Sequence, residues 1–440
     1  MTLDRLRKQN SSWMIRSVLC FFTLAFYVGA LCAPDLNEIF SGFVRIVTNP
    51  AQLTKDYFRP EIGSISGAFF NTALVGTVCC ALLFLPGAVT SGLTVTGYML
   101  TVGFSFWGMN LVNILPFMFG TFVYSLIKRE PFAKFVNFAM FSTALGPLAS
   151  EMLYRYPGTE IRGVTLAGIG LALLIGVATG VAMPALCAHA KNFHKGYSLY
   201  NAGAAAGFWC FFLYATLYRT LGVEAPAIEA ITSDGLSKTF VDVYCIVVFV
   251  LCIIVGFILS GNSFKGYWSL LKDTGYQVDF GTKYGNGPTV MNFGVYGLFI
   301  VLYYNLIGAK FTGATFGAIF CMLACCCTGA TPRTVFPIMI GYFLASRFGQ
   351  DALNAQAIVV GLYFASGLAP VSGNYGIIAG IVAGMIHYCI VTSAPAIHGG
   401  FNLYNGGFTS CLTCFVLVPI LEHFFKTKEE RKLARAGKNG

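Results

Sequence analysis

The sequence predicts an all-α membrane protein with about 14 transmembrane helices, arranged as two inverted seven-helix repeats. Three observations predict it. Hydrophobic residues fill 56% of the 440 positions and charged residues only 10%, whereas a soluble domain runs near a quarter charged. Apolar segments of spanning length recur along the whole chain. The two halves align with each other without gaps over a long stretch. Mean hydropathy is +0.70. This composition excludes a water-soluble enzyme, a disordered chain, a collagen-like chain and a secreted disulfide scaffold.

The spans lie near 13–32, 65–86, 88–110, 114–127, 135–153, 163–184 and 197–218, then near 240–260, 289–307, 310–330, 334–346, 356–372, 376–396 and 402–424. The first follows Arg5, Arg7 and Lys8 and so resembles a signal peptide. Ala30-Leu31-Cys32 offers no small-x-small cleavage site, and the apolar stretch outruns a signal core, so it reads as an anchor. Residues 1–225 form the first seven-span repeat and 226–425 the second, with a basic cytoplasmic tail at 426–440.

An even span count returns the chain to its starting side. Lys and Arg favour the side of the N-terminus by roughly two to one, which predicts both termini in the cytoplasm and a place in the cell inner (plasma) membrane. The net charge of +10 is then a topology signal. The tail fits either contact with anionic lipid or plain positive-inside retention. Basic residues are scattered over loops, so no nucleic-acid partner is expected.

Fifteen cysteines lie in apolar runs such as Cys79-Cys80 and Cys325-Cys326-Cys327, where free Cys acts as a small hydrophobe. No zinc spacing accompanies them, and neither a metal nor another cofactor is expected. Nucleotide, dinucleotide, serine-hydrolase and metalloprotease fingerprints are missing. No loop is large enough for a nucleotide-driven domain. The chain is expected not to be an enzyme or an ATP-driven pump.

Residues 71–122 align with 292–343 at a shift of 221, with twelve of 52 positions identical. The identities include Asn71/Asn292, Gly92/Gly313, Thr94/Thr315, Gly108/Gly329, Pro116/Pro337 and Gly120/Gly341. With small gaps, Ala144-Leu145-Gly146-Pro147 meets Gly367-Leu368-Ala369-Pro370, and Tyr200-Asn201 meets Tyr404-Asn405. A unit of seven spans is odd, so its two copies insert in opposite directions. That layout marks transporters and some channels. Duplication without transport is the plainer alternative.

Paired Gly-interrupted spans point to a binding site between repeats. Spans three and ten qualify, through Thr90-Ser91-Gly92-Leu93-Thr94-Val95-Thr96-Gly97 and Thr312-Gly313-Ala314-Thr315. Close helix packing through small residues explains the same pattern. The candidate solute ligands are Thr94, Thr96, Thr312 and Thr315, with Asn110, Asn113 and Arg333 to orient the solute. The Arg333 fork suits a carboxylate or phosphate, and equally suits a snorkelling charge at the membrane edge. Glu151 is the acid placed well inside an apolar stretch, with Asn374 in the partner region. Both are candidates for ion coupling, and pairing with Arg155 is the structural alternative for Glu151. Asn71, Asn292, Asn201 and Asn405 form symmetric buried polar pairs, read either as interhelical bonds or as ligands.

The run Gly103-Phe104-Ser105-Phe106-Trp107-Gly108-Met109-Asn110-Leu111-Val112-Asn113-Ile114-Leu115-Pro116, with Asn71-Thr72-Ala73-Leu74-Val75-Gly76 and Phe401-Asn402-Leu403-Tyr404-Asn405-Gly406-Gly407, resembles a prokaryotic family of multi-pass membrane proteins of unknown function, domain of unknown function 1576. That resemblance spans nearly the whole chain and implies a bacterial or archaeal membrane protein. It carries over no substrate and no functional residues. In layout alone the chain is similar to seven-plus-seven inverted-repeat nucleobase and sulfate transporters, in which solute lies between the two broken spans. Its Gly-aromatic-x-Leu-Tyr-Asn-x-Gly segments are also similar to urea channels.

The expected function is a secondary transporter for a small polar or anionic solute, coupled to protons or sodium. The alternatives are a passive channel for a small neutral solute, or a membrane protein without transport activity. Membrane lipid is the other expected partner, and a homo-oligomer is compatible with the sequence.

Overall fold

The computed structural model describes residues 3–53, 55–227 and 238–436. Residues 437–440 of the predicted tail, with Lys438, lie outside the described residues, as do the side chains of Arg5, Arg7 and Lys8. The first half runs through α1 (Leu3–Cys32), α2 (Ile39–Val47), α3 (Ile65–Leu83), α4 (Gly92–Ser105), α5 (Leu111–Lys128), α6 (Val136–Ser142), α7 (Gly146–Tyr154), α8 (Leu166–His194) and α9 (Asn201–Tyr214). The second runs through α10 (Lys238–Leu259), α11 (Lys265–Leu271), α12 (Phe280–Tyr284), α13 (Asn286–Leu306), α14 (Gly313–Leu323), α15 (Pro332–Ser346), α16 (Gln356–Ala365), α17 (Ala369–Tyr375), α18 (Ile377–Val391) and α19 (Asn405–Phe424). The tail helix α20 (Lys428–Ala436) follows. No strand occurs among the described residues.

Eight segments are long and apolar enough to cross a membrane. Each remaining predicted span coincides with a shorter helix or with two helices joined by a turn. The surface is apolar in the way a lipid-facing surface is. On α10, Val243, Ile246, Val247, Ile254 and Ile258 are all exposed, a patch that water would not tolerate on a monomer. The molecule is a multi-pass membrane protein.

Spans three and ten are the short ones. At 1.5 Å per residue, the 14 residues of α4 and the 11 of α14 reach only about 21 and 17 Å, short of a hydrocarbon core of about 30 Å. Spans five and twelve are broken as well. The α6–α7 pair is joined by a 3₁₀ turn at Thr143–Leu145, just ahead of Gly146-Pro147. The α16–α17 pair has the same turn at Ser366–Leu368, ahead of Ala369-Pro370. Proline lacks the N–H that would continue the ladder and clashes with the preceding turn, so each helix restarts there.

Packing repeats between the halves. Helix α5 packs on α8, where a Cβ at Gly180 would sit 2.3 Å from the Phe117 carbonyl oxygen. Helix α15 packs on α18, where a Cβ at Gly384 would sit 2.2 Å from the Ile338 carbonyl oxygen. Only glycine admits these backbone contacts.

Two ends of the bundle can be told apart by their contacts. At one end Arg16 Nε donates to the Leu83 carbonyl at 3.1 Å, Asp279 meets Gly92, and Lys428 Nζ donates to the Lys272 carbonyl at 3.2 Å. At the other, the Asp35 carboxylate accepts from the N–H groups of Ile65 and Ser66 at 2.7 and 2.9 Å. Residues 47–53 also lie there: Tyr154 donates to the Val47 carbonyl and Trp107 Nε1 to the Leu53 carbonyl.

Candidate functional site

The two short helices start on matched caps. Ser91 and Thr94 form a capping box at the head of α4, and Thr312 and Thr315 form one at the head of α14. Each head also receives a carboxylate from the opposite half. The Gly92 N–H donates to Asp279 Oδ2 at 2.9 Å, and the Gly313 N–H donates to Asp56 Oδ1 at 2.7 Å. Helix N-termini carry unsatisfied N–H groups and a partial positive charge, which a carboxylate answers. The helices then meet at glycines: a Cβ on Gly317 would lie 2.1 Å from the Gly103 carbonyl oxygen, and one on Gly103 would lie 2.7 Å from that of Gly317.

A second pair of backbone bonds crosses between the halves. The Leu199 N–H donates to the Gly367 carbonyl at 2.9 Å, and the Leu403 N–H donates to the Ala144 carbonyl at 3.1 Å. Residues that align in sequence thus exchange partners across the interface.

The symmetric asparagines hold helices together. Asn71 Nδ2 donates to the carbonyls of Ser105 and Met109 at 2.8 and 2.7 Å, and Asn292 Nδ2 donates to those of Cys326 and Ala330 at 2.8 and 3.0 Å. These are the carbonyls freed where α4 and α14 end. Asn201 bonds His194 at 2.9 Å and the Cys187 carbonyl at 2.8 Å, while Asn405 bonds His398 at 3.0 Å and the Val391 carbonyl at 3.0 Å. Asn110 and Asn113 form the capping box of α5, and both donate to the Gly108 carbonyl.

A cavity of about 200 Å³ opens beside α4, α6, α8 and α9. Thr96, Asn137, Tyr200 and Asn201 line it, with Lys134 on its wall and Leu93, Leu100, Phe138 and Phe141 supplying apolar surface. Thr96 Oγ1 donates to the Ala324 carbonyl at 2.9 Å. Tyr200 donates to the Cys321 carbonyl at 2.7 Å and lies 3.2 Å from Ser366 Oγ, so one wall of the cavity is a contact between halves. Asn137 Oδ1 is buried and accepts no hydrogen bond among the described residues. A buried acceptor left open in a cavity is a ready place for a donor on a solute.

Of the residues predicted to orient or bind a solute, Thr96 lines this cavity, and Asn201 of the symmetric pairs lines it as well. Thr94, Thr312 and Thr315 are engaged in the caps, and Asn110 and Asn113 in another. Arg333 lies elsewhere, in a cavity with the tail helix, its Nη1 donating to the Leu271 carbonyl at 3.1 Å. The predicted ion pair of sites is also separated. Glu151 is fully buried at the end that holds residues 47–53, with Arg155 Nε 3.6 Å away and neither carboxylate oxygen hydrogen-bonded among the described residues. Asn374 lies at the tail end, donating to Tyr197 Oη at 3.0 Å and accepting from Arg431 through its carbonyl.

Sequence reasoning singled out Tyr200 with Asn201 but missed Asn137, Asp56 and Asp279 as individual residues of interest. The two aspartates carried a usable signal, because Asp56-Tyr57-Phe58 and Asp279-Phe280-Gly281 precede the matched asparagines at nearly equal distance. Asn137 has no counterpart pattern and was not visible without the cavity.

Fold and contacts define an integral membrane protein built from two halves with matched contacts. The chain belongs to DUF1576, described as a protein family of unknown function, whose pattern matches residues 36–219 and 259–423. No curated protein and no solved structure matches it.

Proposed function

We propose that this protein is a secondary transporter for a small polar or anionic solute, and not an enzyme. Its two halves are inverted repeats, and access alternates as they exchange packing. The cavity beside α4 and α9 receives the solute, with Thr96 and Asn137 as its polar contacts and Tyr200 reporting to the opposite half. Glu151 carries the coupling proton or sodium ion. The protein sits in the cell inner membrane with both termini in the cytoplasm.

The observation that carries this reading is the exchange of matched contacts: Asp56 with Gly313 and Asp279 with Gly92, Leu199 with Gly367 and Leu403 with Ala144. An interface made of two equivalent, swapped sets has two equivalent ways to pack, which is what alternating access needs. The open carboxylate of Glu151 supports ion coupling, since an intramembrane acid without hydrogen bonds is expensive unless it takes up a cation. The Glu151–Arg155 contact favours the second reading, a passive channel for a small neutral solute, in which that pair is structural.

The test uses purified protein in liposomes on a supported membrane. Amino acids, carboxylates, nucleobases and inorganic anions are applied in turn to the native protein and to Glu151→Gln. A saturable solute-evoked current that is lost in the variant is expected. A flux that ignores ion gradients and survives the substitution selects the channel, and silence across the panel from folded protein contradicts both.

A further inference from the structure

The cavity that Arg333 lines has a composition that the transport reading does not use. It encloses about 960 Å³ between the first turn of α15, the end of α17 and the tail helix α20. Arg333, Lys428, Arg431 and Lys432 all line it. None of the four is in an ion pair among the described residues. Three of them are held in place by backbone carbonyls. Arg333 donates to Leu271 at 3.1 Å, Lys428 to Lys272 at 3.2 Å, and Arg431 to Asn374 at 3.3 Å and Tyr375 at 3.4 Å.

Asp273 and Glu430 are committed elsewhere, and Glu429 is not part of the lining. Asp273 pairs with Lys283 at 2.6 Å, and Glu430 accepts from the Thr427 N–H at 2.6 Å at the head of its own helix. Four cations therefore face one space with no carboxylate among its walls. Their mutual cost is visible at Lys428, whose ammonium is held below the usual lysine range by burial and by the Arg333 and Lys432 charges.

Much of the remaining lining is apolar, and part of it faces outward. Phe336 is 50% exposed and Ile377 is 65% exposed, and both line the same cavity with Phe299. A free anion has no use for this wall. An amphiphile uses both parts, with its phosphate among the cations and its acyl chains along Phe299, Phe336 and Ile377. Basic pockets beside membrane helices bind anionic headgroups in this way.

We infer that this cavity is a binding site for one anionic phospholipid, whose headgroup phosphate bridges Arg333 on α15 to the tail helix α20. The lipid ties the tail to the bundle, so the tail is a lipid-dependent clamp on the end of α15. This inference needs only the membrane and is independent of transport.

The test uses delipidated full-length protein in detergent. Native mass spectrometry and thermal unfolding are followed during titration with phosphatidylglycerol, phosphatidylcholine or glycerol 3-phosphate. The expected result is one phosphatidylglycerol bound per chain with a rise in Tm, and little from the zwitterionic lipid or the chain-free phosphate. Lys432→Gln, which breaks no hydrogen bond among the described residues, and Arg333→Gln each weaken that binding about fivefold. Arg333→Lys keeps the charge and guards against a folding defect. Equal binding of phosphatidylcholine, unchanged affinity in both charge-removing variants, or glycerol 3-phosphate binding as tightly as the lipid would each overturn the inference.

Discussion

Asp56 Oδ1 accepts the Gly313 N–H at 2.7 Å, so a carboxylate from the first half caps a helix of the second. Asp279 does the reverse for Gly92. Asp56→Ala and Asp279→Ala each remove a charged cap worth about 1 kcal/mol. The loss is larger at Asp56, which is fully buried. Thermal unfolding in detergent, followed by tryptophan fluorescence, should show both variants below the native Tm and the exposed Glu160→Ala variant unchanged. Native Tm in both aspartate variants would remove the caps from the account.

The paired asparagines predict an equal response in both halves. Asn71→Leu leaves the Ser105 and Met109 carbonyls without the amide, and Asn292→Leu does the same to Cys326 and Ala330. Losing a buried partner costs about 2 kcal/mol per site. Chemical denaturation in detergent should place both variants at a similar loss. A full loss of solute response with native stability would instead make these amides ligands.

The glycine crossing predicts a steric effect. Gly317→Ala puts a methyl 2.1 Å from the Gly103 carbonyl oxygen, and Gly103→Ala puts one 2.7 Å from that of Gly317. Backbone cannot yield as a flexible side chain does, so the short helices must separate. Size-exclusion profiles should show reduced monodisperse yield for both, whereas Gly170→Ala, which meets nothing within 4 Å, behaves as native. Native yield and Tm for Gly317→Ala would mean that the crossing is looser than described.

Asp273 predicts a pH dependence outside the spans. Burial pushes its carboxyl up, but bonds from Lys283, Tyr284 and the Gly275 N–H outweigh that and leave it below its ordinary value. A carboxyl with a lowered folded-state pKa adds stability above its unfolded pKa, and that increment fades as pH falls through the folded value. Asp273→Asn should therefore lower Tm at neutral pH, and the gap to native protein should shrink below about pH 4. A gap that stays constant down to pH 3 would show that the carboxylate charge is not what Asp273 contributes.

The all-helical membrane class was legible because spanning helices are written in composition, and the contacts matched between the halves follow a fixed shift in the sequence. The shift that pairs Asn71 with Asn292 also pairs their hydrogen-bond acceptors, Ser105 with Cys326 and Met109 with Ala330. Short spans three and ten were visible through their Gly and Thr content. The cause was less visible. Thr94, Thr312 and Thr315 terminate helices, and a capping threonine looks the same in sequence as a threonine facing a solute. The helix breaks ahead of Pro147 and Pro370 fall on matched residues, but proline alone does not say whether a helix bends or restarts. The cavity wall at Asn137 and the meeting of Arg333 with Lys428 and Arg431 depend on segments far apart in the chain. No local pattern encodes either one.

The two halves being inverted is the central claim, and sidedness of labelling tests it most directly. Glu130 follows α5 and Gln350 follows α15, two helices that align in the repeat, and both residues are exposed. In a background lacking the exposed Cys32 and Cys389 thiols, Glu130→Cys and Gln350→Cys are treated with a membrane-impermeant maleimide on intact cells. The account predicts labelling at 350 at once and at 130 only after permeabilisation. Labelling of both from the same side would contradict it.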